Sequence, residues 1–356
     1  MFTRCLFLLP SLAMLAHADK IILVAGGGMK TPPCAALDVA LREPFSAQLD
    51  PAGNLVIVEM TKGQRVLRLS RDGRMSLLAG TGKKGSAGDN GPALLAAFDG
   101  IHNFAVATNG DLYLADTWNC RVRKIDSKTG IVSTVVGTGE KGFSGDGGAA
   151  REAKLGGIYS IAFDAKQTRL YLVDLHNSRV RYLDMKSGMI HAFAGNGQRG
   201  VPKEGANAAT SPLADPRAVA VDSKGNVYIL ERGGNALRVV QSDGTIRTVV
   251  NSSGKKGADG DGGPALGATM NGPKHLCVDR DDNVIIADAE NHLIRKYLPR
   301  EGKLIRVAGT GKPGKDGLDG PPLQAGLNRP HGVDIGADGA LYITDSYNDR
   351  ILKIVP

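Results

Sequence analysis

Residues 216–231, PRAVAVDSKGNVYILE, decide the fold because the same pattern occurs six times along the chain. An alternating apolar segment runs into an Asp/Asn/Gly turn, and a second apolar segment follows and stops at an acidic residue. That order is typical of a tight β-hairpin. The turn position recurs every 57 or 58 residues, at Gly53, Gly110, Gln167, Gly225, Asp282 and Gly339. A period of this length predicts stacked copies of one supersecondary unit.

Each repeat continues beyond the hairpin into two more predicted strands. A third strand such as RVRKID (residues 121–126) precedes a fourth such as IVSTVVG (131–137), and a glycine-rich connection, GTGEKGFSGDGGAA (137–150), follows. Six units of four strands predict an all-β fold, the six-bladed β-propeller. The repeats start near residues 44, 101, 158, 216, 273 and 330.

The two ends of the chain predict how the ring closes. The last repeat stops after its third strand, whereas KIILVAG at residues 20–26 copies the fourth-strand segment KLIRVAG at residues 303–309. We therefore expect the N-terminal strand to complete the last blade and remove its free edge.

The composition excludes several classes of protein. Of the 356 residues, 42% are hydrophobic, which is enough to form a core and excludes an intrinsically disordered chain. The 48 glycines do not fall on every third residue, so the chain is not collagen-like. The formal net charge of +8 favours anionic partners or serves solubility alone.

Residues 1–18 have the features of a signal peptide. Arg4 precedes the apolar run CLFLLPSLAML, and Ala16-His17-Ala18 places small residues where a signal peptidase cleaves. The run is too short to span a bilayer. The sequence thus predicts a single domain at residues 19–356 that is exported, secreted or periplasmic, without membrane insertion.

A first candidate ring follows the first-strand proline position, where the repeat loses its uniformity. Imidazoles can bind metals or transfer protons, and Arg or Lys can hold a carboxylate or phosphate. The alternative is that these are solvated residues at strand starts. The ring comprises Phe45, His102, Tyr159, Arg217, Lys274 and His331, with His275 one position further along.

A second candidate ring is acidic in every repeat. Its carboxylates could bind a cation, or each could close the following turn with an Asx-type hydrogen bond, as recurrence in all six units favours. Glu59 and Glu231 depart from the aspartate pattern and are therefore the candidate ligand-binding pair. The members are Glu59, Asp116, Asp174, Glu231, Asp288 and Asp345.

Other side chains carry separate expectations. Trp118 lies on a predicted exposed loop, where it could stack on a sugar or peptide. Asp89, Asp146, Asp261 and Asp319 lie in the glycine-rich connections, where turn chemistry is favoured over a calcium loop. The alternating third strands, such as residues 121–124, predict solvated arginines. Cys277 should be a buried free thiol, whereas Cys34 and Cys120 could pair.

The repeat resembles a known family. Pro-x-x-Val-x-Val-Asp, then Gly-Asn, then Tyr-x-x-Asp-x-x-Asn-x-Arg-Ile/Val-x-Lys, followed by Ala-Gly-x-Gly and Gly-Asp-Gly-Gly, resembles the NHL repeat over residues 20–356. The resemblance implies a six-bladed propeller, mostly used for binding, with a few lyases. Lactonase-type propellers are a more distant resemblance.

We expect a ligand- or protein-binding scaffold whose channel mouth holds an anionic or sugar-like ligand, a peptide or a protein. The candidate contacts are His102, Tyr159, Arg217, Lys274, His275, His331, Trp118, Glu59 and Glu231. A monomer is expected, and nucleic acid is not, because an exported protein rarely meets RNA.

The alternative is a metal-dependent lyase or hydrolase, amidating-lyase-like or lactonase-like, with zinc or calcium as its cofactor. The resemblance implies zinc on histidines after the first-strand proline in alternate blades. His102 and His331 match two positions but Arg217 occupies the third, so His275 would have to substitute. Tyr159 would then act as acid or base, and Arg217 would clamp a carboxylate.

Overall fold

The computed structural model describes residues 19–355 as six antiparallel sheets of four blade strands each, and three of these sheets have a short fifth strand at the edge. The predicted signal peptide, residues 1–18, lies outside the described residues. The inner strands of successive blades pack against one another, and that of blade 6 packs against that of blade 1. The predicted all-β, six-bladed propeller is therefore confirmed.

Each blade runs from an inner strand to an outer strand. Blades 1 to 3 comprise Pro44–Leu49, Leu55–Glu59, Arg65–Leu69 and Arg74–Ala79; Ile101–Val106, Leu112–Asp116, Arg121–Ile125 and Ile131–Val136; and Ile158–Phe163, Arg169–Asp174, Arg179–Asp184 and Ile190–Ala194. Blades 4 to 6 comprise Pro216–Val221, Val227–Glu231, Ala236–Val240 and Thr245–Val250; His275–Val278, Val284–Asp288, Leu293–Leu298 and Lys303–Ala308; and Gly332–Ile335, Leu341–Asp345, Arg350–Val355 and Lys20–Gly26.

Short elements complete the connections. The two-residue strands Cys34–Ala35, Gly91–Pro92 and Ala206–Asn207 pair with the outer strands of blades 1, 2 and 4 and cover those edges. The 3₁₀ turns are Ala36–Asp38, Ala93–Leu95, Thr117–Asn119, Ala150–Glu152, Leu175–Asn177, Ala208–Thr210, Ala265–Gly267, Ala289–Asn291, Pro322–Gln324 and Ser346–Asn348. Within residues 19–355, no helix has the length and apolar character needed to cross a membrane.

The N-terminal strand closes the ring as the sequence predicts. Lys20–Gly26 runs antiparallel to Arg350–Val355, with Lys20 opposite Val355 and Gly26 opposite Arg350. Ile21 is fully buried in the apolar cluster between blades 5 and 6. The first described strand and the last one therefore belong to one sheet.

An apolar cluster fills each of the six spaces between neighbouring blades. Between blades 1 and 2, for example, Phe98, Ile101 and Phe104 pack against Val56 and Val58. The sheets are consequently covered on both faces. Successive side chains along a strand therefore point alternately into two interfaces that are both buried. The alternation does not distinguish buried side chains from solvated ones.

This packing corrects the prediction of solvated arginines on the third strands. Arg123 and Arg181 are fully buried, as are their counterparts Arg238 and Arg295 to within 2% exposure. The Arg123 guanidinium donates from Nε to Asp89 at 2.9 Å and from Nη1 to the Ala97 carbonyl at 2.8 Å. Buried charges need such complete pairing.

Three of the four aspartates named in the glycine-rich connections pair with these arginines, whereas Asp319 forms no ion pair within residues 19–355. Asp89 pairs with Arg123, Asp146 with Arg181, and Asp261 with Arg295. Each pair ties the connection before a blade to the third strand of that blade. Their contacts agree with the structural interpretation of these loops rather than with a calcium loop.

The three cysteines of the described chain are free thiols. Cys277 is buried at 8% exposure on the inner strand of blade 5, as predicted. Cys34 lies in the short edge strand of blade 1, and Cys120 follows the 3₁₀ turn of blade 2. The considered Cys34–Cys120 bridge is therefore not formed.

Candidate functional site

The structure brings the first candidate ring together at the starts of the six inner strands. From His331 through Phe45, His102 and Tyr159 to Arg217, neighbouring members are in ring–ring or cation–π contact, and the charge of Arg217 acts on Lys274. These six side chains, one from each blade, form the mouth ring: Phe45, His102, Tyr159, Arg217, Lys274 and His331.

β-Bulges explain why this position differs from the rest of the repeat. In blade 1, Pro44 faces Glu59 and Ser46 faces Val58, so Phe45 is an extra residue without a partner in the ladder. Tyr159 and Arg217 are unpaired bulge residues in the same way. In blade 2, the register of the first two strands shifts across a segment that contains His102. A bulge re-aims a side chain away from regular pleating. The extra residues can therefore vary without disturbing the hairpin.

Four blades contribute a continuous aromatic arc. The ring of Tyr347 stacks on His331 at 5.8 Å between centroids, and His331 stacks on Phe45 at 4.2 Å. Phe45 meets His102 edge-on at 5.3 Å, and His102 meets Tyr159 at 4.4 Å. This aromatic arc comes from blades 6, 1, 2 and 3.

Trp118 lies beside the aromatic arc. Its indole meets the His102 ring edge-on at 5.5 Å, and 41% of the residue is exposed. Gly100 has φ of 69°, and a Cβ there would overlap the indole, so glycine lets the ring lie close against the backbone. The predicted exposed tryptophan is thus placed next to the mouth ring.

Arg217 in blade 4 is a buried cation that has no carboxylate partner among the described residues. It is 5% exposed, and its guanidinium lies over the Tyr159 ring at 4.6 Å from the centroid. Its Nη1 points to the Tyr159 carbonyl oxygen at 3.5 Å, while its Nε has no hydrogen-bond partner within residues 19–355. Burial, opposed only by Tyr159, lowers the pKa of Arg217 below its usual value.

Lys274 in blade 5 adds a second cation. Its ammonium lies 3.2 Å from Glu290, which also pairs with Arg329. Burial and the charge of Arg217 lower the pKa of Lys274 to about 8. One carboxylate therefore serves Lys274 and Arg329 together, which leaves this side of the mouth positively charged.

The mouth histidines are neutral and present acceptor nitrogens. His102 Nδ1 lies 2.9 Å from the Gly100 carbonyl, and His331 Nδ1 lies 2.8 Å from the Arg329 carbonyl. A carbonyl only accepts, so each Nδ1 carries the proton and each Nε2 keeps its lone pair. Burial and the charge of Arg217 hold both pKa values well below the usual range.

His275 lies deeper than the mouth ring and spans the channel. Its Nε2 is 2.9 Å from the side-chain nitrogen, Nδ2, of Asn103 on the opposite blade. Burial and the charge of Arg217 lower the pKa of His275 to about 4. The sequence pattern did not single out Asn103. It is nevertheless the one asparagine at a position that Ser, Ala, His or Gly occupies in the other inner strands.

The structure does not assemble the zinc set considered from the sequence. Phe45 separates His102 from His331, and His275 is engaged by Asn103. Throughout the described residues, no three His, Cys, Asp or Glu side chains converge in a way that could hold one ion.

The acidic ring has internal partners and does not line the mouth. Asp116 is fully buried; it accepts from the Asp99 backbone N–H and from the Asn119 side chain, both at 2.8 Å. Asp174, Asp288 and Asp345 repeat this arrangement. Burial raises the pKa of Asp116 to about 6. These acids join each second strand to the connection before its blade.

Glu59 and Glu231 make the equivalent contact to the preceding connection with a longer side chain. Both are fully buried; Glu59 accepts from the Arg42 backbone and from Arg65, and Glu231 accepts from the Ala214 backbone and from Arg238. A Cβ at Gly63 or Gly234 would overlap these carboxylates. The glycine in each turn thus leaves room for the longer glutamate side chain. The buried position of Glu59 and Glu231 does not support the ligand-binding role expected from the sequence.

The fold defines the chain as a six-bladed β-propeller, and the mouth ring places cationic and aromatic side chains at the starts of its inner strands. Family models described as "NHL repeat" match residues 270–297 and 327–354, and one described as "Teneurin NHL domain" matches residues 184–259. These matches and the six-bladed fold support an NHL-repeat propeller family.

Curated relatives share this repeat at low identity. The "NHL repeat-containing protein 2" of Bos taurus is 25% identical over 97% of this chain and 51% of its own length. The "Protein SUPPRESSOR OF QUENCHING 1, chloroplastic" of Arabidopsis thaliana is 28% identical over 68% of this chain and 24% of its own length. The chain therefore spans a quarter to a half of these relatives.

Solved structures share the fold. An auxiliary nutrient binding protein from Bacteroides thetaiotaomicron superposes with a TM-score of 0.68 at 14% identity, covering 95% of this chain and 76% of that one. A streptogramin B lyase and a gluconolactonase from Xanthomonas campestris superpose with TM-scores of 0.56 and 0.58, at 12% and 13% identity. They cover 95% and 94% of this chain, and 98% and 89% of their own chains. The same propeller thus carries both binding and enzymatic roles.

Proposed function

We propose that the protein is a binding propeller whose mouth ring holds a small anionic ligand. The observation that carries the proposal is Arg217, a buried guanidinium with no carboxylate partner within the described chain. A buried charge without a partner is strongly unfavourable, and a bound carboxylate or phosphate would satisfy its free donors.

The surroundings of Arg217 support an anion with hydroxyl groups. Lys274 adds a second positive charge, and the Nε2 lone pairs of His102 and His331 can accept hydrogen bonds from ligand hydroxyls. Tyr159 and Trp118 offer rings on which an apolar or sugar face can pack. An acidic sugar combines these properties.

The export predicted from residues 1–18 fits a protein that captures ligands outside the cell. The alternative of a metal-dependent lyase or hydrolase, with zinc or calcium, stays a prediction. Metal analysis of protein purified without chelator or affinity tag tests that alternative: a stoichiometric ion lost on changing His102 and His331 to Ala would overturn the binding-only proposal.

Calorimetric titration tests the binding proposal directly, with glucuronate, inorganic phosphate and neutral glucose as probes. We expect at least one anion to bind wild-type protein and glucose to bind much more weakly. Arg217→Met should weaken anion binding by about tenfold or more, as expected for losing a partner of a buried charge.

The chain offers a matched control for this variant. Arg169 also lies 4.6 Å above a tyrosine ring, that of Tyr182, but at the opposite end of the hairpin of blade 3. Arg169→Met should leave anion affinity unchanged. Absence of anion binding to the wild type, or equal affinities in Arg217→Met and wild type, would overturn the proposal.

A further inference from the structure

A groove between blades 4 and 5 adjoins the mouth ring. It has a volume of about 530 Å³, and its charged lining residues are Arg199, Arg232, Lys256, Lys274 and Glu290. Asn235 and Asn271 add polar surface to the same depression. The groove is therefore open, polar and rich in cations.

The groove has more basic side chains than acidic side chains that pair with them. Arg199 and Arg232 share Asp215, at 3.1 and 3.9 Å, and Lys274 shares Glu290 with Arg329. Lys256 has no ion-pair partner within residues 19–355. Side by side, these charges produce a positive surface that attracts an anion.

Lys274 makes the groove continuous with Arg217. It belongs to the mouth ring and also lines the groove, and its pKa is lowered by the charges of both Arg217 and Arg232. A positive track thus leads from the buried guanidinium at the channel axis outwards between two blades. A ligand with a single charge cannot occupy both ends of that track.

The lining favours a glycan over a peptide. Peptides are commonly held by main-chain hydrogen bonds to a free strand edge. The channel side of the inner strands is bridged by the Asn103–His275 contact, and the connections cover the outer edges of blades 1, 2 and 4. The groove itself supplies side-chain donors, and the adjoining mouth ring supplies the imidazole acceptors and aromatic rings. Together they suit the carboxylates, hydroxyls and ring faces of acidic sugars.

We propose that the groove is a second anion subsite, so that the protein binds a linear glycan containing consecutive uronic acids. One carboxylate pairs with Arg217, and the next residues of the glycan place their carboxylates against Lys274, Arg232 and Lys256. The inference rests on the proposed anion site at the mouth and extends it.

Titration with galacturonate and with its dimer and trimer tests the second subsite. Wild-type protein should bind the trimer about tenfold or more tightly than the monomer, with a stronger dependence on salt. The double variant Arg232→Gln/Lys256→Gln should bind the monomer as wild type does and lose the gain for the trimer. Arg217→Met should lose affinity for all three.

A control variant separates local from overall charge effects. Lys128→Gln/Lys186→Gln removes the same net charge from exposed residues of blades 2 and 3 and should retain the trimer gain. Equal affinities for monomer and trimer, or a trimer gain retained in the groove variant, would overturn the second subsite while leaving the mouth site intact. Trimer binding that survives Arg217→Met would overturn the mouth site. Tighter, groove-dependent binding of polyglutamate or of an RNA oligomer would overturn the glycan.

Discussion

The Arg217 guanidinium lies over the Tyr159 ring, 4.6 Å from its centroid, and within residues 19–355 it forms no ion pair with a carboxylate. Each residue is the extra residue of a β-bulge in adjacent blades, which is why the two side chains meet. The ring face compensates part of the lost hydration through a cation–π interaction. Tyr159 is therefore a positioning residue for the cation that we propose binds the ligand.

Replacing Tyr159 by Leu should weaken anion binding by about fivefold, because the cation–π contact contributes about 1 kcal/mol. Tyr159→Phe keeps the ring face and should bind nearly as wild type does. Calorimetric titration with glucuronate measures both. Equal losses in the Phe and Leu variants would show that the hydroxyl, not the ring face, matters.

The pKa of Lys274 predicts the pH dependence of binding. Burial and Arg217 lower it to about 8, so the ammonium loses its proton as the pH rises from 7 to 9. An anion prefers the protonated form, and its affinity should therefore fall by several-fold over this interval. Lys274→Met should bind more weakly at pH 7 and show a flatter profile. A wild-type affinity that rises towards pH 9 would contradict this assignment.

The buried arginines predict a specific loss of stability. Arg181→Leu leaves Asp146 and Asp174 without their cation, and we expect the free energy of unfolding to fall by about 3 kcal/mol in urea titrations. Arg247→Leu, on an exposed position of blade 4, should change it by less than about 0.5 kcal/mol. Adding Asp146→Asn to Arg181→Leu should recover part of the loss, and no recovery would argue against the ion pair as its cause.

Leucine occurs naturally where this arginine is missing. Blades 1 and 6 carry Leu67 and Leu352 at the equivalent register, and their acids pair instead with Arg65 and Arg350, directly opposite on the third strand. Each buried acid thus pairs with one arginine at either of two third-strand positions, and blades 2 and 3 carry arginine at both. That rule is visible in the sequence once the register is known.

The sequence was sufficient to predict the repeat, the number of blades and the closing strand, because each depends on local pattern and period. It also singled out the six ring positions as variable, and four of them lie at β-bulges, where residues are free to vary. It misassigned Arg123 and Arg181, because alternation cannot tell a second buried face from a solvated one. It missed the contact of Asn103 with His275, which joins residues 172 positions apart across the ring.

Closure by the N-terminal strand predicts that one side chain near its start stabilises the whole ring. Ile21 is fully buried between blades 5 and 6, and Ile21→Ala should lower the free energy of unfolding by about 3 kcal/mol. The neighbouring Lys20 is exposed, and Lys20→Ala should have little effect. Thermal and urea unfolding measure both variants, and matching midpoints would mean that the strand adds little to the ring.

Asp334, on the inner strand of blade 6, should make the protein less stable as the pH rises. Burial, opposed only by the backbone N–H of Ile335, raises its pKa to about 8, against 3.8 for an exposed aspartate. The unfolded chain therefore releases this proton near pH 4 and the folded chain near pH 8, so the cost of keeping the carboxyl buried grows between those values.

Asp334→Asn removes this cost while keeping the shape of the protonated carboxyl. We expect the variant to match wild type near pH 4 and to exceed it in free energy of unfolding by up to about 5 kcal/mol at pH 8, with the difference levelling off above that pH. Urea unfolding at a series of pH values measures the difference. Asp338, exposed on the same hairpin, pairs with Lys353, which lowers its pKa, so Asp338→Asn should give no stabilisation at any pH. A difference between Asp334→Asn and wild type that does not grow from pH 4 to pH 8 would show that the Asp334 carboxyl ionises in the folded protein as readily as in the unfolded chain.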